Sequence, residues 1–225
     1  MSATKSLSKS SARKEKWNRY IESVKYAKYV LFHPFDGFWD LVHEKRGSIA
    51  AATTFLALFL ITRIVQLLFT NFQFINAPLQ YINIFEQAAS LLIPFLILCL
   101  GNWCLTTLFD GKGRFGDIYM AMCYALVPYT LIQLPLVLVS NIIAADEAAF
   151  YTVLMSFSTA WCLALVFVGL MQVHDYSPGK TFIFIIVTVV AALVIIFLLL
   201  VFFSLLGDAA TYFISLYREI AFRLY

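Results

Sequence analysis

The stretch FIFIIVTVVAALVIIFLLLVFFSLL, residues 182–206, contains no charge, no proline and no glycine. Coiled as an α-helix at about 1.5 Å per residue, it is longer than a hydrocarbon core of about 30 Å. It therefore reads as a transmembrane helix, and the search for others works back along the chain. Four more apolar blocks of similar length occupy residues 49–70, 87–109, 118–140 and 149–171. All are continuous rather than alternating, which favours helices over a barrel, because a lone helix satisfies its own backbone hydrogen bonds in lipid. Composition agrees: the chain is 62% hydrophobic and 13% charged, against about 25% charged in soluble domains. The expected fold is all-α, a polytopic membrane protein with five transmembrane helices in a bundle and interfacial amphipathic helices at both ends. Residues 1–48 lack the apolar core of a signal peptide, so none is expected.

Loop charges predict the orientation. Residues 1–48 hold ten lysines and arginines against five acids. Lys112 and Arg114 fall in the second loop and Lys180 in the fourth, on that same side. The first and third loops, 71–86 and 141–148, have no Lys or Arg but carry Glu86, Asp146 and Glu147. The positive-inside rule then predicts a multi-pass protein of the cell membrane with a cytoplasmic N terminus and an external C terminus.

The arm before the first span divides in two. Residues 1–16 are rich in Ser and Lys without apolar periodicity and read as a mobile basic tail. From Trp17, a stripe through Ile21, Val24, Lys28 and Leu31 steps by three or four, the signature of an amphipathic helix in the headgroup layer. Residues 33–48, HPFDGFWDLVHEKRGS, complete this 17–48 segment. Pro34 and Gly37 mark a turn, and Phe35, Phe38 and Trp39 join Trp17 as expected membrane-interface residues. Asp40, His43 and Glu44 share one helical face and offer a metal-site alternative. The interfacial reading is the stronger, since short His and acid patterns are unspecific.

Other chemistry is sparse. SPGKT, residues 177–181, ends like a phosphate-binding loop, but that pattern needs glycine at 174, which is histidine. Cys99, Cys104, Cys123 and Cys162 lie inside spans at spacings that fit no zinc site or disulfide. Ser, His and Asp are too dispersed for a triad. No enzyme activity, cofactor or metal is expected, nor any contact with nucleic acid. Polar residues inside spans mark transport paths; here they are Arg63, Gln66, Asn102 and Gln133. Arg63 is expected to snorkel outward or to pair with Glu86.

At the second loop and third span, LFDGKGRFGDIYMAMCYALVPYTL, residues 108–131, resembles the central signature of the Yip domain family, the Ypt- and Rab-interacting membrane proteins. That pattern is a Gly-rich basic turn, matched by Gly111, Lys112 and Gly113, then a span reading tyrosine, small, leucine, any, proline, matched from Tyr124 to Pro128. The five-span count fits as well, so that residues 49–206 stand as a Yip-like membrane domain. HPFDGFWDLVHEKRGS and HDYSPGKT are similar to the bacterial branch. For eukaryotic members the resemblance implies binding of prenylated GTPases in trafficking or membrane shaping; this chain has a shorter arm and lacks the acidic aspartate-leucine-tyrosine-glycine-proline stretch of that group. For the bacterial branch it implies membrane components that accompany solute-uptake permeases.

The tail, residues 207–225, is expected to form a separate amphipathic helix, with Gly207 ending the fifth span. Thr211, Ser215, Glu219 and Arg223 recur every four residues in an otherwise apolar segment, which makes Tyr212, Tyr217, Arg218 and Arg223 candidate docking residues. The function expected is that of a non-enzymatic partner or scaffold in the bilayer, an accessory subunit of a permease-type complex or a homo-oligomer. An independent small-solute channel or transporter is the alternative, and a GTPase-binding trafficking factor a further one.

Overall fold

A computed structural model describes residues 2–71, 74, 83–109, 111–143 and 147–224, with side chains described between residues 14 and 222 of these. The elements are α1 (Ser2–Phe32), α2 (Pro34–His43), α3 (Ile49–Phe69), α4 (Ile84–Leu108), α5 (Phe115–Ala125), α6 (Val127–Ser140), α7 (Ala148–His174) and α8 (Pro178–Leu224), with no strand among the described residues. Five stretches are long and apolar enough to cross a bilayer: α3, α4, α5 with α6, α7 and α8. The protein is thus an all-α polytopic membrane protein, as expected.

Local chemistry sets the helix ends. The Ser48 hydroxyl caps α3 by accepting from the Ala51 N–H at 3.1 Å, and Asn83 Oδ1 caps α4 by accepting from the Phe85 N–H at 3.0 Å, each satisfying a donor that a helix start leaves open. Proline opens both α2 and α8, where its fixed φ suits the first turn and its missing N–H is not needed. In the third span, Pro128 removes one helical N–H, and the helix breaks just before it, at Leu126, into α5 and α6.

In sequence the spans alternate in direction, so the arm, the α4–α5 turn and the α7–α8 turn share one end of the bundle, here the arm end. The α5–α6 span is the most enclosed, 56% buried, whereas only 11% of the α8 span is covered. Its residues Ile118, Ala121, Cys123 and Tyr124 form the centre of the core with Phe55 of α3 and Leu165 of α7. α4 lies against α8 at Gly101, where a Cβ would be in ordinary contact, 3.9 Å from the Thr188 carbonyl oxygen. Small residues at such crossings are what let helices pack when lipid offers no hydrophobic contrast.

Two expectations need correction. α1 runs from Ser2 without interruption, so the backbone of residues 2–16 continues the helix rather than forming a separate tail; Ala, Lys, Arg and Glu are good helix formers. Farther along α1, the face packed on the bundle is the stripe Ser23, Ala27 and Val30, while Trp17 and Lys28 are exposed. This buried stripe lies one position round the helix from the apolar stripe read from the sequence. The second correction concerns α8, one helix of 47 residues, about 70 Å at the standard rise. Gly207 does not stop it: a mid-helix glycine costs only about 1 kcal/mol, and neither proline nor a capping turn follows.

Candidate functional site, two buried polar networks

The arm folds back on itself and packs along the flank of the bundle. At Gly37 an added Cβ would lie 2.8 Å from Val30 Cα, so glycine is what lets α2 press against α1. Phe38, expected at the lipid interface, is instead 0% exposed. Its ring covers Gly169 of α7, where a Cβ would come within 3.2 Å of Phe38 Cε1. Phe35, Trp39 and Trp17 are exposed, at 55%, 45% and 62%. Hydrogen bonds stitch the arm down: Tyr124 Oη donates to the Ser23 carbonyl at 3.0 Å, Ser23 Oγ to the Arg46 carbonyl at 2.9 Å, and Tyr26 Oη to Asp40 Oδ2 at 3.0 Å. Burial, and then its bond to the Asp40 carboxylate, pushes the Tyr26 phenol up from its ordinary range, so Tyr26 remains a donor. The three residues of the metal alternative go to different partners. Asp40 takes Tyr26, Glu44 takes Arg46 at 2.6 Å, and His43 stacks on Trp39 with Nε2 at 3.9 Å from Asp175.

The first network lies under the glycine turn at the arm end. The Gly111 N–H donates to the Thr106 carbonyl at 2.7 Å, folding the chain back after α4. The Gly113 N–H then donates to His174 Nδ1 at 3.3 Å. His174 Nε2 lies 3.0 Å from Asn102 Oδ1, and Asn102 Nδ2 donates to Thr188 Oγ1 at 3.1 Å. Because Nδ1 accepts, the network assigns the proton to Nε2, and a neutral imidazole satisfies every partner. Lys112 reaches across to Asp175 at 3.0 Å, and Asp175 itself takes a left-handed backbone, φ 54°, to end α7. The Gly-Lys-Gly turn thus ties α4, α7 and α8 together around one buried histidine.

The second network sits deeper, between α3, α6 and α7. Arg63 Nη1 donates to Tyr129 Oη at 2.8 Å and to Gln66 Oε1 at 3.2 Å, while Tyr129 Oη donates to Gln66 Oε1 at 2.9 Å. Gln66 Nε2 donates to Gln133 Oε1 at 2.6 Å, Gln133 Nε2 to Ser158 Oγ at 2.5 Å, and Ser158 Oγ to the Met155 carbonyl at 2.8 Å. Donors point one way from Arg63 to the α7 backbone, so each bond polarises the next. The expected outward snorkel or Glu86 partner for Arg63 is replaced by Tyr129 and Gln66; among the described residues no ion pair joins Arg63 to Glu86.

The hydrogen-bond chains themselves run through amide, imidazole, hydroxyl and guanidinium groups, with the Asp175 carboxylate paired to Lys112 at the edge of the first, and both tie helices to one another. Among the described residues no three His, Cys, Asp or Glu side chains gather as a metal set. Of the signature residues, Gly113, Tyr124 and Pro128 are buried, Tyr124 on α5 against the arm and Pro128 at the α5–α6 break. Tyr212, Tyr217 and Arg218 are exposed on α8, far from both networks in the chain; the Arg223 side chain lies outside the described residues. His174, Tyr129, Ser158 and Thr188 escape a sequence reading, although Arg63 with Gln66 and Tyr129 with Gln133, spaced three and four apart, are a usable sign of two polar faces meeting.

Five spans and paired polar layers define a multi-pass helical membrane protein. The family model described as the Yip1 domain matches residues 28–206. The chain belongs to the Yip1 domain family, and the matched region takes in the last residues of α1, all of α2, the glycine turn and the spans up to Leu206. No curated protein and no solved structure shows a significant similarity to it.

Proposed function

We propose that this chain, of the bacterial type within its family, is a non-enzymatic scaffold in the bilayer that docks onto another membrane complex, of the solute-uptake permease class, through the tail of α8. The observation that carries the reading is the length of α8. About 30 Å of helix crosses a bilayer, yet α8 continues past Leu206 to Leu224 with Tyr212, Phe213, Tyr217 and Phe222 exposed, Tyr217 at 74%. An apolar helical face of this kind, carrying tyrosines and the Arg218 cation, has the composition of an interface core. Truncation after Asp208 is expected to leave five inserted spans but to abolish stoichiometric co-purification of the partner in mild detergent. An undiminished yield of partner would move the docking surface to the arm.

The loop charges support a cytoplasmic arm and an external tail. A cysteine placed in the 141–148 loop is expected to react with an impermeant thiol reagent in intact cells, whereas one at position 112 is shielded. The reverse pattern overturns the orientation and moves α8 to the cytoplasmic side. A second reading, a small-solute channel, is favoured only by the Arg63 network, since polar groups deep in spans accompany transport. Flux through liposomes that vanishes in Arg63→Gln would select it over the scaffold.

A further inference from the structure

Between α1, α3 and α6 lies a cleft of about 480 Å³, within the range of about 300–1,000 Å³ that accommodates small ligands. Ala27, Phe55, Leu58 and Leu131 are among its walls, and among the described residues Lys28 is its one charged side chain and Thr130 its one other polar side chain. Leu58 is nine residues into α3 and Leu131 sixteen residues past the start of α5, depths of about 13 and 24 Å from the arm end. The cleft therefore runs along the bundle flank within the apolar slab. Leu58, Leu131 and Phe32 stand on its exposed rim.

The surroundings select the occupant. A buried water needs two to four polar partners, which these walls do not supply, and a water-soluble ligand would have to cross hydrocarbon to enter. A partner helix about 10 Å across displaces roughly 800 Å³ in each 10 Å of its length, more than the cleft's volume of about 480 Å³. What reaches this site freely is lipid, and because its tails are as apolar as the cleft walls whatever headgroup they carry, selectivity between lipids falls to the charged group. That group is Lys28, on an arm with ten basic and five acidic residues. A lysine keeps its stem in hydrocarbon while its ammonium reaches the headgroup level.

We propose that the cleft holds one acyl chain of an anionic phospholipid from the leaflet at the arm end, with the lipid phosphate on Lys28. This site is independent of the α8 docking reading and survives its failure. The test uses the purified full chain, delipidated and then offered phosphatidylglycerol or phosphatidylcholine with identical acyl chains, with bound lipid counted by native mass spectrometry. One phosphatidylglycerol is expected to be retained, roughly five- to tenfold more tightly than phosphatidylcholine, given about 1 kcal/mol per lysine near an anionic surface. Lys28→Gln, at an exposed position, is expected to bring the two lipids to parity without loss of the chain-filled cleft. Leu58→Trp, which fills the cleft from its exposed rim, is expected to lose both. Equal retention by wild type and Leu58→Trp would show only lipid adhering around the bundle and overturn the site, as would a preference unchanged in Lys28→Gln. Displacement of the lipid by glycerol phosphate, which has no acyl chain, would overturn the chain-binding half.

Discussion

Gly113→Ala is expected to destabilise the protein by about 1–3 kcal/mol, the cost of forcing a methyl group into a packed site. The added Cβ would lie 2.5 Å from Val173 Cγ1 and 2.7 Å from His174 Cε1. Neither neighbour yields easily. Val173 is buried and stiff at χ1, and the His174 ring is held at both nitrogens by Gly113 and Asn102. Moving the imidazole would break the bond to Asn102 and leave a buried amide short of a partner, a further penalty of about 1–3 kcal/mol if the network opens. Gly111→Ala is expected to act similarly, since its Cβ would meet Thr106 Cβ at 2.6 Å and the Thr106 carbonyl oxygen at 2.8 Å. The control is internal to the chain. A Cβ added at Gly179 or Gly207 would meet nothing within 4 Å, and both residues are helical, so alanine at either is expected to be neutral or stabilising by up to about 1 kcal/mol. Thermal unfolding in detergent separates the two pairs. Equal midpoints for all four variants would mean that the glycine turn does not hold the α4, α7 and α8 ends together.

Gln133→Leu is expected to cost about 2–4 kcal/mol, more than the loss of an average hydrogen bond between membrane helices. Leucine fits the volume, so the effect isolates the polar loss. Gln66 Nε2 loses its acceptor, at about 1–3 kcal/mol for a group left unsatisfied in a buried site, and Ser158 Oγ loses the Gln133 donor, a further bond of about 1 kcal/mol, while keeping its own bond to the Met155 carbonyl. The double variant Gln66→Leu with Gln133→Leu removes both halves of the central bond and is expected to be less destabilising than the sum of the single changes, a coupling of about 0.5–3 kcal/mol in a double-mutant cycle. Additive values, or a Gln133→Leu change under about 0.5 kcal/mol, would mean that the chain of donors from Arg63 does not couple α3, α6 and α7.

The five spans were legible because crossing a bilayer demands length and hydropathy, both of which are local properties of the chain. What those residues face was not. In the arm, Phe38 and Trp39 are adjacent aromatics with similar hydropathy, yet one is in the core and the other faces outward. Lipid and protein interior are both apolar, so hydropathy carries no sign that distinguishes them. The same reasoning explains the shifted stripe of α1, where Ser23 is buried because it bonds the Arg46 carbonyl and lets α1 approach. Gly111 and Gly113 could be picked out by their resemblance to a signature, but the reason Gly113 is glycine depends on Val173 and His174, the latter 61 residues away, and at Gly111 it depends on Thr106 and Tyr176. Gly207 shows the opposite error, a local rule applied where no second stop signal reinforced it.

The unbroken course of α8 through Gly207 makes its two halves parts of one screw. Each residue advances the helix by about 100°, so the azimuth at which Tyr217 and Arg218 emerge is fixed by how Thr188 and Ala192 seat against α4. One extra residue between these regions would turn the tyrosine face about a quarter of a circle away, whereas an insertion of seven would return it to within about 20° and displace it by about 10 Å along the axis. With a flexible joint at 207, neither change would carry an angular consequence. As built, the bearing of the tail is set by packing inside the membrane, so a change in how α4 and α8 interlock would be felt at the far tip as rotation.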